Sequence, residues 1–265
     1  MNIHPTAIID PQTELDASVS VGPYVVIEKG VRIGANTRIK SHTVLSGPTT
    51  IGCNNTIGPF ATIGAPPQDL KYKGEDTELI IGDNNQIREY VSIHRGTVTD
   101  RGVTTIGSNN LLMGSVHVAH DCDLDDSVIM ANGAVLAGHV KINHHAIIGG
   151  LVAVQQFTRI GAHCYIGGMS GISMDVPPYV IVTGTRKGMR VSGINKVGLK
   201  RCGFTNESIK KLDKAYKIIF MTPTLLLQEA LDLVLAEFPD CEPVVHLVDF
   251  IRTSKQGVVR TANGS

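Results

Sequence analysis

The sequence predicts an all-β parallel β-helix, a solenoid of hexapeptides, followed by a small α-helical C-terminal domain. Three observations carry this. Every sixth residue from Ile106 to Ile172 is aliphatic, and a second series of the same period runs from Ile3 to Ile63. A period of six fits neither a 3.6-residue helix nor a two-residue strand alternation; it is the mark of a repeat architecture. The chain has 28 Gly, no Trp and only six Phe, which suits many tight corners around an aliphatic core. The hexads stop after Asp175-Val176-Pro177-Pro178, and from about Thr205 the apolar spacing becomes helical.

Each hexad reads aliphatic, often Gly, two variable residues, small or β-branched, then variable. The first and fifth positions should point inward. Cys122 and Cys164 fall at the fifth position together with Val116, Val128, Ala134, Val140, Ala146 and Val152, so both read as small core residues. Three hexads make a triangular coil of 18 residues, and parallel ladders stack the coils about 4.8 Å apart. A single coil has no stable core and is held by its neighbours.

The register breaks twice. A polar, Pro-containing insert covers about 65–80, and a second, HRGTVTDRGVTT, covers about 94–105. Both should leave the coil as surface loops on one face. Farther on, Thr205 is an expected N-cap for NESIKKLDKAYKIIF, followed by the amphipathic segments PTLLLQEALDLVLAEF and EPVVHLVDFIRTS. The expected division is a solenoid over 1–190 and a helical domain over 191–265.

Composition narrows the function. With 24 basic and 24 acidic residues the chain is formally neutral, which gives no pull toward nucleic acid or an anionic membrane. The N-terminus MNIHPTAIID lacks the features of a secretory signal, and no apolar run reaches membrane-spanning length. Five Cys at irregular spacing argue against a disulfide framework. A cytoplasmic protein without an integral membrane segment is expected.

Stacking at 18 residues gives the segment HVAHDC its neighbours. His120 lies under Gly138 and two coils below Gln156, and Asp121 lies under His139. A carboxylate beside a His orients the ring and stabilises its protonated form. A Gly above it offers an unshielded backbone N–H, as an oxyanion site requires. The patch suits a general base that activates a substrate nucleophile against an acyl carbonyl. A metal is the rival chemistry. His117 and His120 fall in different hexads and diverge, while His145 and His163 stack as a surface pair. No metal is expected.

The segments QDLKYKGE, IHRGT, HVAHDC, LAGHV, IIGG, DVPPYV and GLKRCGF, with the hexads, resemble the UDP-N-acetylglucosamine O-acyltransferases of lipid A biosynthesis across essentially the whole chain. The resemblance implies a left-handed coil, against the usual crossover hand, and a homotrimer with sites between adjacent solenoids. It implies transfer of a (3R)-3-hydroxyacyl chain from acyl carrier protein to the 3-position of UDP-N-acetylglucosamine, with no cofactor beyond the donor's phosphopantetheine thioester. By the same resemblance His120 is the general base, Asp121 its partner and Gly138 the oxyanion donor. His117, His139, Gln156, Asp69 and Lys71 match substrate-contacting positions, Asn195 and Arg201 hold the nucleotide end, and Gly168 admits a long acyl chain.

Gln155, Val197 and Cys202 depart from the His, acid and Arg common at those positions, and some relatives accept a 3-amino sugar to make an amide. Another hexapeptide N-acyltransferase is a second alternative, although hexads here begin at Ile3, with no separate nucleotide-binding domain before them. A scaffold solenoid would need no His, Asp and Gly patch. Lys200, Arg201, Lys210, Lys211 and Lys214 are candidates for docking the acidic carrier protein.

Overall fold

The structure, a computed structural model, describes residues 2–185 and 188–258. Short strands, most of them two residues long, stack into three sheets of 11, 9 and 8 strands that form the sides of a left-handed triangular coil. The ladders are parallel and their register is the sequence period: Asn2 pairs with Ser20, His117 with Val135, and Lys141 with Arg159, each 18 residues on. From Val21 onward every hexad aliphatic is at most 3 % exposed. That column is the core.

Three corner columns join the sheets, and most corners hold a residue in the left-handed region, where Asn, Asp and His are better tolerated than most side chains. Between the first and second sheets Tyr24, His42, Phe60 and Tyr90 occupy it, with their rings stacked at 4.8–5.3 Å. Between the second and third sheets the column holds Asp121, His139 and Phe157. Between the third and first it holds Asn36, Asn54, Asn84, Asn109, Ser127, His145 and His163.

Both inserts leave from the second corner. The chain exits after the strand Thr62–Ala65 and re-enters at Glu78–Ile81, then exits after Ser92–His94 and re-enters at Val103–Ile106. Ile51 therefore pairs with Ile81 and Ile81 with Ile106, spacings of 30 and 25 residues instead of 18, and the ladder continues unbroken.

One internal column departs from the small-apolar pattern. The Oγ1 of Thr37 accepts from Asn55 N (3.1 Å), and the Oδ1 atoms of Asn55, Asn85 and Asn110 accept in turn from Asn85 N, Asn110 N and Val128 N (2.8, 2.9 and 2.7 Å). These amides answer backbone donors that the corner leaves open. Higher in the same column Val128, Ala146 and Cys164 take over, all fully buried.

After the last hexads the strand Val180–Thr183 continues the first sheet, and Arg190–Ile194 pairs with it antiparallel. Among the described residues this hairpin precedes four helices: α1 (Lys196–Arg201), α2 (Asn206–Met221), α3 (Leu227–Glu237) and α4 (Glu242–Arg252). Thr205 caps α2 as expected, its Oγ1 accepting from Ser208 N at 3.1 Å. Helix α3 starts four residues after Pro223, where Glu229 accepts from Leu226 N. Arg159 ties the coil to α4: it bonds Asp175 Oδ2 (3.0 Å) and the Phe250 carbonyl (2.9 Å) and lies 4.3 Å over the Phe250 ring. None of the described helices is long and apolar enough to cross a membrane.

Candidate active site

The second corner brings the expected patch together. Asp121 is 1 % exposed, and its carboxylate accepts from Thr97 N (2.8 Å), Thr97 Oγ1 (2.6 Å) and His120 Nδ1 (2.8 Å). Its own N–H donates to Thr104 Oγ1 at 2.8 Å. Burial pushes the Asp121 carboxyl up, but the hydrogen bonds from His120 and Thr97 outweigh it and hold the group below its ordinary range. A carboxylate on Nδ1 fixes the imidazole tautomer: the proton sits on Nδ1, and Nε2 presents its lone pair away from Asp121. The arrangement leaves Nε2 of His120 free to accept a proton from a bound group.

Gly138 stands one coil above. A Cβ at that position would lie 2.5 Å from His120 Cε1 and 2.8 Å from Nε2. The histidine ring therefore occupies the space that any side chain would need, and the glycine is fixed by close approach rather than by corner geometry. His139 meets His120 edge to face (centroids 5.1 Å apart, planes at 88°), stacks on Phe157 at 4.4 Å, and pairs through Nδ1 with Asp100 Oδ2 at 2.8 Å.

The inserts close the site. His120, His139, Gln156, Asp69 and Lys71 line one cleft of about 810 Å³. Asp69 turns its own loop by accepting from Lys71 N at 2.9 Å. Arg95, buried, donates to the carbonyls of Gly47 and Gly64 (2.9 and 2.8 Å) and to Tyr72 Oη (3.0 Å), pinning the first insert to the coil. Thr97 and Asp100 come from the second insert.

The remaining expected residues lie elsewhere on this chain. His117 is on a flat side, with Nδ1 2.7 Å from Ser92 Oγ and its ring edge-on to His94. Burial, first, and then the neighbouring His120 lower its pKa. Gly168 is exposed at the first corner, where a Cβ would come 3.2 Å from the Gly150 carbonyl. Asn195 is buried beside the third corner, accepting from Gly198 N (3.1 Å) as the cap of α1 and donating to the His163 carbonyl (2.9 Å). Arg201 ends α1. Thr97, Thr104, Asp100 and Phe157 were not foreseen from spacing. The first three lie in or beside an insert, where the 18-residue rule fails, and Phe157 follows Gln156 at a position stacked above His139.

The chain as a whole has counterparts among known proteins. An acyl-[acyl-carrier-protein]–UDP-N-acetylglucosamine O-acyltransferase of Thermodesulfovibrio yellowstonii is 53 % identical over 97 % of this chain and 99 % of its own length. The chain belongs to the UDP-N-acetylglucosamine O-acyltransferase family. Residues 175–259 match that family's domain 2. The UDP-N-acetylglucosamine acyltransferase of Francisella novicida superposes with a TM-score of 0.94 at 40 % identity, covering 98 % of this chain and 95 % of its own. The enzyme of Bacteroides fragilis does so with 0.93 at 43 %, covering 97 % and 99 %. This member of the family is an acyltransferase.

Proposed function

We propose that the protein transfers a (3R)-3-hydroxyacyl chain from acyl carrier protein to the 3-hydroxyl of UDP-N-acetylglucosamine, the opening step of lipid A biosynthesis. The observation that carries this is the His120 ring held between the Asp121 carboxylate and the bare Cα of Gly138. His120 Nε2 takes the 3-hydroxyl proton as that oxygen attacks the thioester carbonyl. The Gly138 N–H stabilises the resulting oxyanion, and its collapse breaks the C–S bond. The departing thiolate takes the proton back from His120. Asp121 stabilises the imidazolium between these steps, and binding both substrates in one cleft contributes by orientation.

Asp69, Lys71, His117, His139 and Gln156 are the proposed substrate contacts, Asn195 and Arg201 hold the nucleotide, and Gly168 leaves room for a long acyl chain. Three of these, Gly168, Asn195 and Arg201, sit away from the His120 cleft of the same chain, while His117 neighbours His120 without lining that cleft. Packing of neighbouring copies in a homotrimer would bring those three to it, and this supports the oligomer. The donor thioester is the only prosthetic group required, and the reaction uses no metal. The division into a solenoid at 1–190 and a helical domain at 191–265 belongs to the same proposal, with 259–265 outside the described residues. So does a cytoplasmic location, where both substrates would be met. For carrier-protein docking, Lys211 and Lys214 are already paired with Glu207 and Glu237, which leaves Lys200, Arg201 and Lys210 as the stronger candidates.

The test is acyl transfer by the purified protein from 3-hydroxyacyl carrier proteins of several lengths, with UDP-N-acetylglucosamine and its 3-amino analogue in competition. An ester product supports the proposal. An amide alone moves the acceptor to the amino sugar, and no product from folded protein rejects the reaction. Gly168→Met should shift the preference to shorter chains without loss of folding.

A further inference from the structure

A second histidine group lies outside the cleft, at the corner between the third and first sheets. His145 and His163 are one coil apart with rings stacked at 4.8 Å and 20° between planes. The sequence spacing foresees that pair but not its third member. His144 stands edge-on to both, with centroids 5.3 and 5.0 Å away. One ring nitrogen from each residue lies within 4.8 Å of the others, and the Nδ1 atoms of His144 and His145 are 3.1 Å apart.

These rings lack what His120 and His139 have. Among the described residues no carboxylate forms an ion pair or side-chain hydrogen bond with any of the three. His163 is 7 % exposed and its Nδ1 is buried without a hydrogen-bond partner. A buried orphan nitrogen in a native core calls for a physical account. The His144 and His163 rings border a cleft of about 500 Å³, which Tyr179, stacked on His163 at 5.9 Å and bonded to His246, also lines.

We propose that His144, His145 and His163 bind a borderline transition-metal dication, with Zn²⁺ as the natural occupant. Imidazole nitrogen is a good ligand for Zn²⁺, and Zn–N bonds of about 2.0–2.1 Å in a tetrahedron set the nitrogens roughly 3.3 Å apart. The His144–His145 pair is already near that separation. The rest of the closure falls to side-chain rotation of His144 and His145, both exposed, toward the fixed ring of His163. Three imidazoles leave the fourth position to water or to a donor from the cleft. With no oxygen ligand among the three, Ca²⁺ and Mg²⁺ are poor occupants. The site lies outside the His120 cleft, although Asn195, proposed to hold the nucleotide, donates to the His163 carbonyl; metal binding there does not rest on the proposed reaction.

The probe is Co²⁺, titrated into the intact protein and followed by the visible absorption of tetrahedral Co²⁺, then displaced by Zn²⁺. The double variant His120→Ala, His139→Ala removes the other group of ligand-competent side chains. The expected result is one Co²⁺ per chain, retained in that variant and weakened at least about tenfold in His144→Ala and in His145→Ala, since loss of even an outer-shell partner weakens metal sites about 10- to 100-fold. Both of these side chains are exposed, so neither substitution should disturb the core. The proposal is overturned if no tetrahedral band appears, if the band survives in His144→Ala and His145→Ala, or if it vanishes in the double variant.

Discussion

Two corners of the same coils carry clustered histidines, and they differ in what surrounds them. At the second corner His120 and His139 each pair through Nδ1 with a carboxylate at 2.8 Å, and the carboxylate of Asp121 is itself held by Thr97. At the third corner His145 and His163 stack at 4.8 Å, but among the described residues no carboxylate forms an ion pair or side-chain hydrogen bond with them. The solenoid supplies a ring stack at both places, His139 on Phe157 and His145 on His163, because rungs repeat at a fixed spacing. It does not supply the bracing. Thr97 and Asp100 belong to an insert, so the support of the Asp121 carboxylate and of His139 comes from the part of the chain that leaves the repeat.

The contrast is broken most directly by removing the proposed base. His120→Ala should lower turnover by about 10²–10⁴-fold with an unchanged fold, read by acyl-transfer kinetics and circular dichroism. A fully active variant would reject the assignment. Next in size is a pH effect on stability near the second corner. Burial, and then the charges of His117, His120 and Arg95, push His94 from 6.5 down to about 4. Above pH 6.5 neither state holds the proton. Below it the unfolded chain takes up a proton that the folded chain refuses, so stability falls by up to about 3 kcal/mol between pH 6.5 and 4. Chemical denaturation across that range should show the loss, and His94→Gln should reduce it, leaving the share due to His163, which burial likewise pushes down to about 4.

Bracing is tested by smaller changes. Thr97→Val removes one of three donors to the Asp121 carboxylate, and a hydrogen bond to a charged group is worth about 1.5–3 kcal/mol. If that support reaches the transition state through His120, kcat should fall about 10- to 100-fold with KM nearly unchanged, and Thr97→Ser should restore it. Asp100→Ala acts only on His139 at the half-exposed edge of the cleft, and a loss of about 1 kcal/mol in kcat/KM is expected. At the unbraced corner, His145→Ala should change transfer by no more than about 0.5 kcal/mol. A large loss there would erase the distinction between the corners.

The repeat explains what was legible in the sequence. A six-residue period fixes which side chains enter the core, and 18-residue stacking places His120, Asp121, Gly138 and His139 together, as found. Legibility ends where counting ends. Spacing says nothing of how far an insert folds back, so Thr97 on Asp121 and Arg95 on Tyr72 were invisible. Nor does it distinguish a small apolar fifth position from Asn55, Asn85 and Asn110, whose amides serve backbone donors inside the coil. His144 escaped for another reason. It lies beside the stacked column rather than in it, and only the edge-on ring geometry brings it to His145 and His163.

The spacings of 30 and 25 residues across the inserts carry an evolutionary consequence. Each excursion departs from and returns to one corner, so the number of residues in it need not be a multiple of six for the ladders above and below to match. Length change by insertion or deletion is thus permitted at the corner that holds His120 and suppressed along the sides, where one extra residue would turn the core outward. Lineages can redraw the walls of the cleft while inheriting the barrel of rungs untouched.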